Sequence, residues 1–288
     1  MEKQITIAVT GSQGQLGKSL HELESDYPQF RFVFLSRSDM PIHHFELVRQ
    51  FFEGIKPDYV INAAAYTAVD RAEQEKELAF QVNAEAVGVM AAWCQAHGAK
   101  FLQVSTDYVF DGQGSRPYLE TDPTGPKSVY GASKLAGEQQ AMQFNPDCII
   151  VRTAWVYSPY GKNFFRTMVS LLHEKPGVRV VQDQIGTPTY ARDLAKALLD
   201  IIASGKWKPG IYNYTNSGQA SWHEFAQEIQ RQIGSRCVIE GIPSSEYPTP
   251  ATRPAYSVLD KQKIVDGFGV SVPDWKISLA DCVSRAAV

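Results

Sequence analysis

A glycine-rich turn directly after the first hydrophobic run is the feature that most restricts how this chain can fold. The run Ile5–Thr10 (ITIAVT) leads into Gly11-Ser12-Gln13-Gly14-Gln15-Leu16-Gly17, where a helical pattern begins. Glycines there let the backbone turn tightly and approach a pyrophosphate, which sits at the positive helix N-terminus. The spacing is GxxGxxG rather than GxGxxG, but its position after the first strand favours a dinucleotide site over a plain strand–helix turn. The predicted cofactor contacts of this turn are Gly11, Gly14, Gln15, Leu16 and Gly17.

The first half of the chain alternates short hydrophobic runs with longer helical patterns. The predicted strands are Ile5–Thr10, Arg31–Leu35, Tyr59–Ala63, Lys100–Ser105 and Cys148–Arg152. The predicted helices are Gln15–Leu23, Phe45–Gly54, Lys76–His97 and Tyr130–Phe144. Strands that are hydrophobic along nearly their whole length suit a parallel sheet covered on both faces. The pattern therefore predicts an α/β fold with a Rossmann-like, doubly wound parallel sheet.

The strand–helix alternation loosens after about residue 155. We predict a dinucleotide-binding core over residues 1–155 and a smaller, mainly substrate-binding lobe over residues 156–288. A strand at Val178–Val181 and a helix at Ala191–Ala203 indicate that residues 178–204 return to the core. The turn-rich remainder, with a helix at Trp222–Ile233, is expected to pack on the carboxyl ends of the strands, where such folds bind ligands.

Composition excludes several classes of protein. With 44% hydrophobic and 20% charged residues the chain is ordinarily globular, and its net charge of -3 with no Lys/Arg run gives no reason to expect nucleic acid. No apolar stretch approaches the roughly 18 residues of a membrane span. The four cysteines form no CxxC pair, so we expect reduced thiols, no metal site and a cytoplasmic protein. Met1–Gln4 leads straight into the first strand, which leaves no room for a signal peptide.

Tyr130 and Lys134 give the second functional signal, in the run Tyr130-Gly131-Ala132-Ser133-Lys134. Residues four apart lie on one face of a helix, because that spacing is close to one turn. The Lys134 ammonium is expected to lower the phenol pKa of Tyr130 from about 10 by favouring the phenolate. Such a phenol can pass a proton near neutral pH, as carbonyl reduction by a nicotinamide requires. A YxxxK match alone is weak, but together with the glycine-rich turn it predicts a reductase.

The end of the second strand bears on the choice of cofactor. An acidic residue at this position usually holds the ribose 2′-hydroxyl of NAD, whereas an arginine can hold the 2′-phosphate of NADP. Ser36 and Arg37 therefore favour NADPH. Asp39 lies slightly later and could serve NADH, so NADH is expected to be usable. An exposed arginine without a ligand is the alternative explanation of Arg37.

Two further strand ends are predicted to face the cofactor and the substrate. Small residues after the third strand let a flat cofactor pass close to the backbone, although tight core packing explains them equally well. The predicted contacts there are Ala63, Ala64, Ala65, Tyr66 and Thr67. The fourth strand ends at Ser105-Thr106-Asp107, where a hydroxyl can hydrogen-bond a substrate carbonyl beside the Tyr130 phenol.

Several blocks together resemble one family, from Ile5 to about Trp275. They include Gly11-x-x-Gly14-Gln15-Leu16-Gly17, Asn62–Asp70 (NAAAYTAVD), Thr106–Gly112 (TDYVFDG), Tyr130-Gly131-x-x-Lys134, Arg152–Tyr157 (RTAWVY), Asp183-Gln184-x-Gly186-x-Pro188-Thr189 and Tyr247–Pro254 (YPTPATRP). The chain resembles the dTDP-4-dehydrorhamnose reductases, which are extended short-chain dehydrogenases/reductases. The TDYVFDG and YPTPA blocks are the most specific.

The resemblance implies reduction of dTDP-4-dehydro-L-rhamnose at C4 to dTDP-L-rhamnose by NADPH or NADH. It implies a catalytic triad of Thr106, Tyr130 and Lys134. Tyr130 would donate the proton to the C4 oxygen, Lys134 would lower the pKa of Tyr130 and hold the nicotinamide ribose, and Thr106 would polarise the carbonyl. The residues that it places at the substrate are Thr106, Asp107, Trp155, Asn163, Gln184 and Arg253. A homodimer is compatible with it, and nothing in the sequence supports a divalent ion.

One block departs from the family pattern. Where members commonly have Leu-Asp-Ile-Thr-Asp near the adenine, this chain has Met40-Pro41-Ile42-His43-His44. The adenine contact is therefore shifted to Asp39 or lost. The two histidines stand apart from other metal-ligand residues, so we interpret them as solvent-facing.

Alternative functions remain open from the sequence. Another nucleotide-sugar reductase, a 4-epimerase or a 4,6-dehydratase would share the fold and the Tyr/Lys pair. Related dehydratases place Asp-Glu after the threonine, whereas Tyr108 follows Asp107 here and cannot serve as the carboxylate base. A non-catalytic subunit similar to the accessory subunit of methionine adenosyltransferase is a different class. The intact Thr106, Tyr130 and Lys134 argue against it.

Overall fold

A computed structural model describes residues 4–286 and is built around one parallel sheet. The strands are β1 (Ile5–Thr10), β2 (Phe30–Leu35), β3 (Tyr59–Asn62), β4 (Lys100–Thr106), β5 (Ile149–Thr153), β6 (Val156–Tyr157), β7 (Gly177–Val181), β8 (Ile185–Gly186), β9 (Thr189–Tyr190), β10 (Gly210–Asn213), β11 (Ala220–Ser221) and β12 (Val238–Ile242). The helices are α1 (Gln15–Glu22), α2 (Phe45–Ile55), α3 (Val69–Ala72), α4 (Lys76–Phe80), α5 (Ala86–His97), α6 (Val129–Phe144), α7 (Phe164–Glu174), α8 (Ala191–Ala203), α9 (Trp222–Ile233), α10 (Gln262–Phe268) and α11 (Trp275–Arg285).

The main sheet has six parallel strands in the order β10-β5-β4-β3-β1-β2. The direction of winding reverses between β1 and β3, and ligands of such sheets bind outside the carboxyl ends of the strands at that point. The predicted doubly wound α/β fold is therefore confirmed. Strand β10, which the sequence pattern did not single out, forms the edge of the sheet beside β5.

Both faces of the sheet are covered by helices, as the hydrophobic strands predict. On one face α1, α8 and α10 contribute the buried side chains Leu20, Leu198 and Phe268. On the other face α2 and α5 contribute Phe52 and Met90. No helix within residues 4–286 is long and apolar enough to cross a membrane.

A third hydrophobic cluster lies among α7, α9 and α11, with Phe165, Phe225 and Trp275 at its centre. Strand β7 pairs with β12 in a separate two-stranded sheet, so residues 178–181 lie outside the main sheet. Helix α8 packs against α1 on the main sheet. The division of the chain at residue 155 stays a prediction.

The predicted helix Lys76–His97 is interrupted by a wide turn at Gln81–Glu85, which separates α4 from α5. Such single π-turns inside helices are frequent at functional sites. Helix α6 approaches so closely here that a Cβ on Gly137 would overlap the Asn83 carbonyl oxygen. The Asn83 side chain bonds to segments outside its own helix.

Candidate active site

Three glycines shape the turn after β1, each for a different reason. Gly11 has a positive φ of 69° and lies against the Ala63–Ala64 backbone. A Cβ on Gly17 would overlap the backbone of Gly11 and Ser12, so this glycine lets α1 pack on the turn. Gly14 is the N-cap of α1, and a Cβ there would meet only the Gly11 carbonyl oxygen, at 3.2 Å. The turn thus presents helix N–H groups to open space, which favours an anion.

That open space is a cleft of about 470 Å³ above the carboxyl ends of β1, β3 and β4. The predicted residues that line it are Gly11, Gly14, Gln15, Leu16, Arg37, Ala63, Ala64, Ala65, Tyr66, Thr67, Tyr130 and Lys134. The cleft therefore runs from the glycine turn to the Tyr/Lys pair. The predicted site residues outside this lining are Gly17, Ser36, Asp39, Thr106, Asp107, Trp155, Asn163, Gln184 and Arg253.

The turn after β2 separates the roles of Arg37 and Asp39. The Asp39 carboxylate accepts hydrogen bonds from the Ser36 hydroxyl at 2.6 Å and from the Ser36 backbone N–H at 3.0 Å. These bonds lower the pKa of Asp39. The Asp39 carboxylate is therefore hydrogen-bonded within its own turn, whereas Arg37 is exposed at the rim of the cleft.

The block that departs from the family pattern lines the cleft beside Arg37. Met40 and Ile42 are buried and form an apolar wall. His43, which we interpreted as solvent-facing, is half-buried and also lines the cleft. Its pKa is lowered by burial and by the positive charges of His44 and Arg37. The two apolar side chains Met40 and Ile42, two residues apart between Asp39 and His43, are the sequence signal for this wall.

Asn83 links the cofactor side of the cleft to the helix that carries Tyr130. Its Oδ1 accepts from the Tyr66 N–H at 2.8 Å, and its Nδ2 donates to Tyr66 O and to Ser133 Oγ, each at 3.0 Å. Asn83 is 1% exposed, so these bonds satisfy a buried amide. Sequence reasoning missed Asn83, because a lone asparagine inside a helical pattern carries no signal.

Helix α6 places the Tyr/Lys pair at the end of β4. Ser128 caps the helix by accepting from the Gly131 N–H at 3.1 Å. A Cβ on Gly131 would overlap the Tyr108 carbonyl oxygen, so this glycine lets the first turn of α6 approach the segment after Thr106. Lys134 is buried, and its Nζ donates to Val104 O at 2.7 Å. The first turn of α6, which carries Tyr130, therefore lies next to the carboxyl end of β4.

The pKa values differ from the sequence expectation. Enclosure raises the pKa of Tyr130 to about 12, with the Thr106 hydrogen bond opposing and the Asp107 charge adding to the rise. Burial lowers the pKa of Lys134 to about 8, although Glu138 opposes this. The Tyr130 pKa is therefore shifted in the direction opposite to the predicted lowering by Lys134. Desolvation exceeds the effect of a lysine one turn away.

Asp107 is a buried carboxyl beside the phenol. Its Oδ1 accepts from the Thr106 hydroxyl at 2.9 Å, while its Oδ2 is buried and has no hydrogen-bond partner among residues 4–286. Burial raises the pKa of Asp107 to about 6, and the hydrogen bond from the Thr106 hydroxyl opposes the rise. The free oxygen is an acceptor that a substrate hydroxyl can satisfy.

Trp155 combines a strained backbone with a fixed ring. It has a positive φ of 46°, which a bulky side chain rarely adopts. Its ring stacks on Trp222 with 3.5 Å between centroids and 5° between planes. A Cβ on Gly186 would overlap this ring. Gln184 accepts from Trp222 Nε1 at 3.2 Å, so it supports the stack. Such strain at a bulky residue is typical of functional sites.

Asn163 and Arg253 are both engaged within the protein. Asn163 caps α7, and its Nδ2 donates to Gln15 Oε1 at 2.8 Å, which places it next to the glycine-rich turn. Arg253 Nη2 donates to Asp70 Oδ2 at 2.7 Å. Among residues 4–286 no group of three or more His, Cys, Asp or Glu side chains is arranged to hold a metal ion.

Comparisons with known proteins agree with this geometry. A family model described as the RmlD substrate binding domain matches residues 5–288. The chain is 42% identical to a dTDP-4-dehydrorhamnose reductase of Burkholderia thailandensis, over 96% of this chain and 97% of that protein. The crystal structure of a dTDP-4-dehydrorhamnose reductase from Clostridium acetobutylicum superposes with a TM-score of 0.94 at 37% identity, covering 99% of this chain and 100% of that one. A Bacillus anthracis dTDP-4-dehydrorhamnose reductase solved in complex with NADP has a TM-score of 0.93 at 35% identity, with 98% and 100% covered.

These matches extend along nearly the full length of both chains, so they span the glycine turn, the Tyr/Lys pair and residues 156–286. The chain belongs to the dTDP-4-dehydrorhamnose reductase family.

Proposed function

We propose that this protein reduces dTDP-4-dehydro-L-rhamnose at C4 to dTDP-L-rhamnose, in the biosynthesis of dTDP-rhamnose for polysaccharide. The observation that carries the proposal is one continuous cleft that starts at the glycine turn and ends at Tyr130 and Lys134, with Thr106 adjacent. A regulatory subunit requires no such phenol and lysine at the end of a nucleotide cleft. The family relatives named above support the same activity.

The cleft fits a nicotinamide dinucleotide. Gly14 offers the N-terminus of α1 to the pyrophosphate, Arg37 offers a guanidinium to a 2′-phosphate, and Met40 and Ile42 offer an apolar wall to the adenine. Because Asp39 is bonded to Ser36, NADPH is the preferred cofactor and NADH is usable. When bound, the reduced nicotinamide supplies the hydride for C4.

Each catalytic residue then has a defined task. The Thr106 hydroxyl and the Tyr130 phenol hydrogen-bond the C4 carbonyl oxygen, and Tyr130 donates the proton to that oxygen as the alcohol forms. A phenol whose pKa is about 12 stays protonated at neutral pH, so it is ready to donate. Lys134 holds the nicotinamide ribose and stabilises the phenolate that remains.

The substrate side is assigned to the C-terminal lobe and the end of β4. Asp107 Oδ2 accepts from a sugar hydroxyl, and the Trp155 ring packs against the sugar. Asn163 and Gln184 act through Gln15 and Trp222, to which they are bonded. A homodimer in the cytoplasm, with residues 156–288 forming most of the substrate-binding lobe, completes the proposal.

The experiment is an absorbance assay at 340 nm with purified protein, dTDP-4-dehydro-L-rhamnose and either NADPH or NADH. Oxidation of the cofactor with formation of dTDP-L-rhamnose, identified by mass spectrometry, is expected. Absence of turnover with both cofactors would refute the proposal. A 4-keto-6-deoxy product from dTDP-glucose would instead favour a dehydratase, a function that Tyr108 in the place of a carboxylate argues against.

A further inference from the structure

Asp70 and Arg253 form an ion pair between two segments that are far apart in the sequence. Arg253 Nη2 donates to Asp70 Oδ2 at 2.7 Å, and the Asp70 and Arg253 side chains are 40% and 23% exposed. Asp70 lies in α3, directly after the Ala63–Thr67 run that lines the cleft. The pair therefore ties the cofactor side of the site to the segment that follows β12.

The same carboxylate also fixes the backbone close to Arg253. Asp70 Oδ1 accepts from the Ala251 N–H at 3.2 Å. On the other side of Arg253, Pro254 lies so close to Gly112 that a Cβ on this glycine would be 2.7 Å from Pro254 Cα. Arg253 is thus held at its guanidinium and on both sides of its backbone.

One nitrogen of the guanidinium has no hydrogen-bond partner among residues 4–286. This nitrogen is Nη1 of Arg253, which is buried and makes no hydrogen bond within the described part of the chain. The guanidinium lies beside the Tyr108 hydroxyl, where its charge and its hydrogen bonding oppose the rise in the Tyr108 pKa that burial causes. The Tyr108 ring packs 5.5 Å from the Tyr130 ring. A buried, unpaired N–H is costly, and a phosphate oxygen that meets Nη1 would satisfy it with a charge-assisted hydrogen bond.

We propose that Asp70 is a positioning residue, which orients Arg253 so that its Nη1 binds the diphosphate of the nucleotide-sugar substrate. This deepens the proposed function and rests on it for the identity of the substrate. The Asp70 carboxylate accepts from Nη2 and leaves Nη1 for the ligand. If the ion pair instead held Arg253 away from the substrate, removing the Asp70 carboxylate would strengthen dTDP binding.

The test measures binding of dTDP to the NADPH-saturated protein by calorimetry, in the wild type, Asp70→Asn, Arg253→Ala and the double variant. Asp70→Asn is expected to weaken dTDP binding about tenfold, the equivalent of one charge-assisted hydrogen bond, with NADPH affinity unchanged. In the Arg253→Ala background the same change is expected to have no further effect, because Asp70 acts through Arg253.

A matched control is Asp281→Asn, which removes a carboxylate of similar exposure that pairs with Arg285 on α11. It is expected to leave dTDP and NADPH binding unchanged. If Asp70→Asn does not fold, Asp70→Glu replaces it; this variant keeps the charge and is expected to bind dTDP within about threefold of the wild type, as a retained ion pair implies.

Three results would overturn the assignment: unchanged dTDP affinity in Asp70→Asn, tighter binding in that variant, or equal weakening with and without Arg253. For Asp70→Glu, loss of binding beyond tenfold would overturn it as well. Turnover of the keto sugar by the wild type tests the proposed function separately. A wild-type protein that binds dTDP without reducing the keto sugar would refute that function, and the binding results would still decide the role of Asp70.

Discussion

The Tyr130 hydroxyl is the single group on which the proposed chemistry depends most. Tyr130→Phe keeps the ring against Tyr108 but removes the proton donor, and general acid catalysis contributes about 10²–10⁴-fold. We expect kcat to fall by that order while the affinity for NADPH is unchanged. Tyr59→Phe, which removes a phenol hydroxyl at the start of β3, serves as the control. Wild-type kcat in Tyr130→Phe would remove Tyr130 from the mechanism.

Arg37 is expected to set the cofactor preference. A charge-assisted hydrogen bond contributes about 1.5–3 kcal/mol, and solvent screening at this exposed position reduces it to about 1 kcal/mol, or roughly fivefold in kcat/KM. The wild type should therefore favour NADPH modestly, and Arg37→Ala should use both cofactors alike. Arg49→Ala, which removes an exposed arginine from α2, should keep the preference. A higher kcat/KM of the wild type for NADH would assign the ribose contact to Asp39.

At the level of residues, the sequence predicted the positions of Tyr130 and Lys134 better than it predicted the pKa of Tyr130. Spacing correctly put Tyr130 and Lys134 at one cleft, because helix geometry follows from local sequence. The direction of the Tyr130 pKa shift was wrong, since desolvation depends on everything that surrounds the phenol. Asn83 was missed for a related reason: its bonds to Tyr66 and Ser133 join segments that are distant in the sequence.

The element whose placement matters most is α6, and Gly131 is the contact that permits it. A Cβ at this position would overlap the Tyr108 carbonyl oxygen, so Gly131→Ala must move the first turn of α6 away from Thr106. Overpacking of this kind costs about 1–3 kcal/mol. We expect a lower midpoint of urea denaturation together with a lower kcat.

The matched control for Gly131→Ala is Gly54→Ala in α2. A Cβ there meets nothing within 4 Å, so the helix should be stabilised by about 0.5–1 kcal/mol with kcat unchanged. If Gly131→Ala lowered stability without any change in kcat, close packing of α6 would be needed for folding alone.

Among the helices and strands, the sequence patterns predicted those that local interactions determine. Strand β1 has the predicted bounds, because a continuous hydrophobic run between turn residues is a local signal. The wide turn at Gln81–Glu85 and the sheet strand β10 were not predicted. Both depend on tertiary contacts: the first on the approach of α6 at Gly137, and the second on pairing with β5.

At the scale of the whole molecule, the buried carboxyl of Asp107 makes stability depend on pH. Its folded-state pKa is raised from 3.8 to about 6 by burial, so the folded protein binds more protons than the unfolded chain between these values. Stability from this group therefore falls as pH rises from about 4 to about 6 and stays low above that range. In Asp107→Asn the side chain does not ionise, and its amide oxygen can still accept the hydrogen bond from the Thr106 hydroxyl.

Relative to the wild type, Asp107→Asn is thus expected to gain about 2 kcal/mol in free energy of unfolding between pH 4 and pH 8. Urea denaturation at the two pH values measures the difference. Asp39→Asn is the control, because hydrogen bonds from Ser36 lower the pKa of Asp39 below its usual 3.8, so this variant should show little change relative to the wild type between the two pH values. A pH-independent difference between Asp107→Asn and the wild type would mean that Asp107 is ionised in the folded protein as readily as in the unfolded chain.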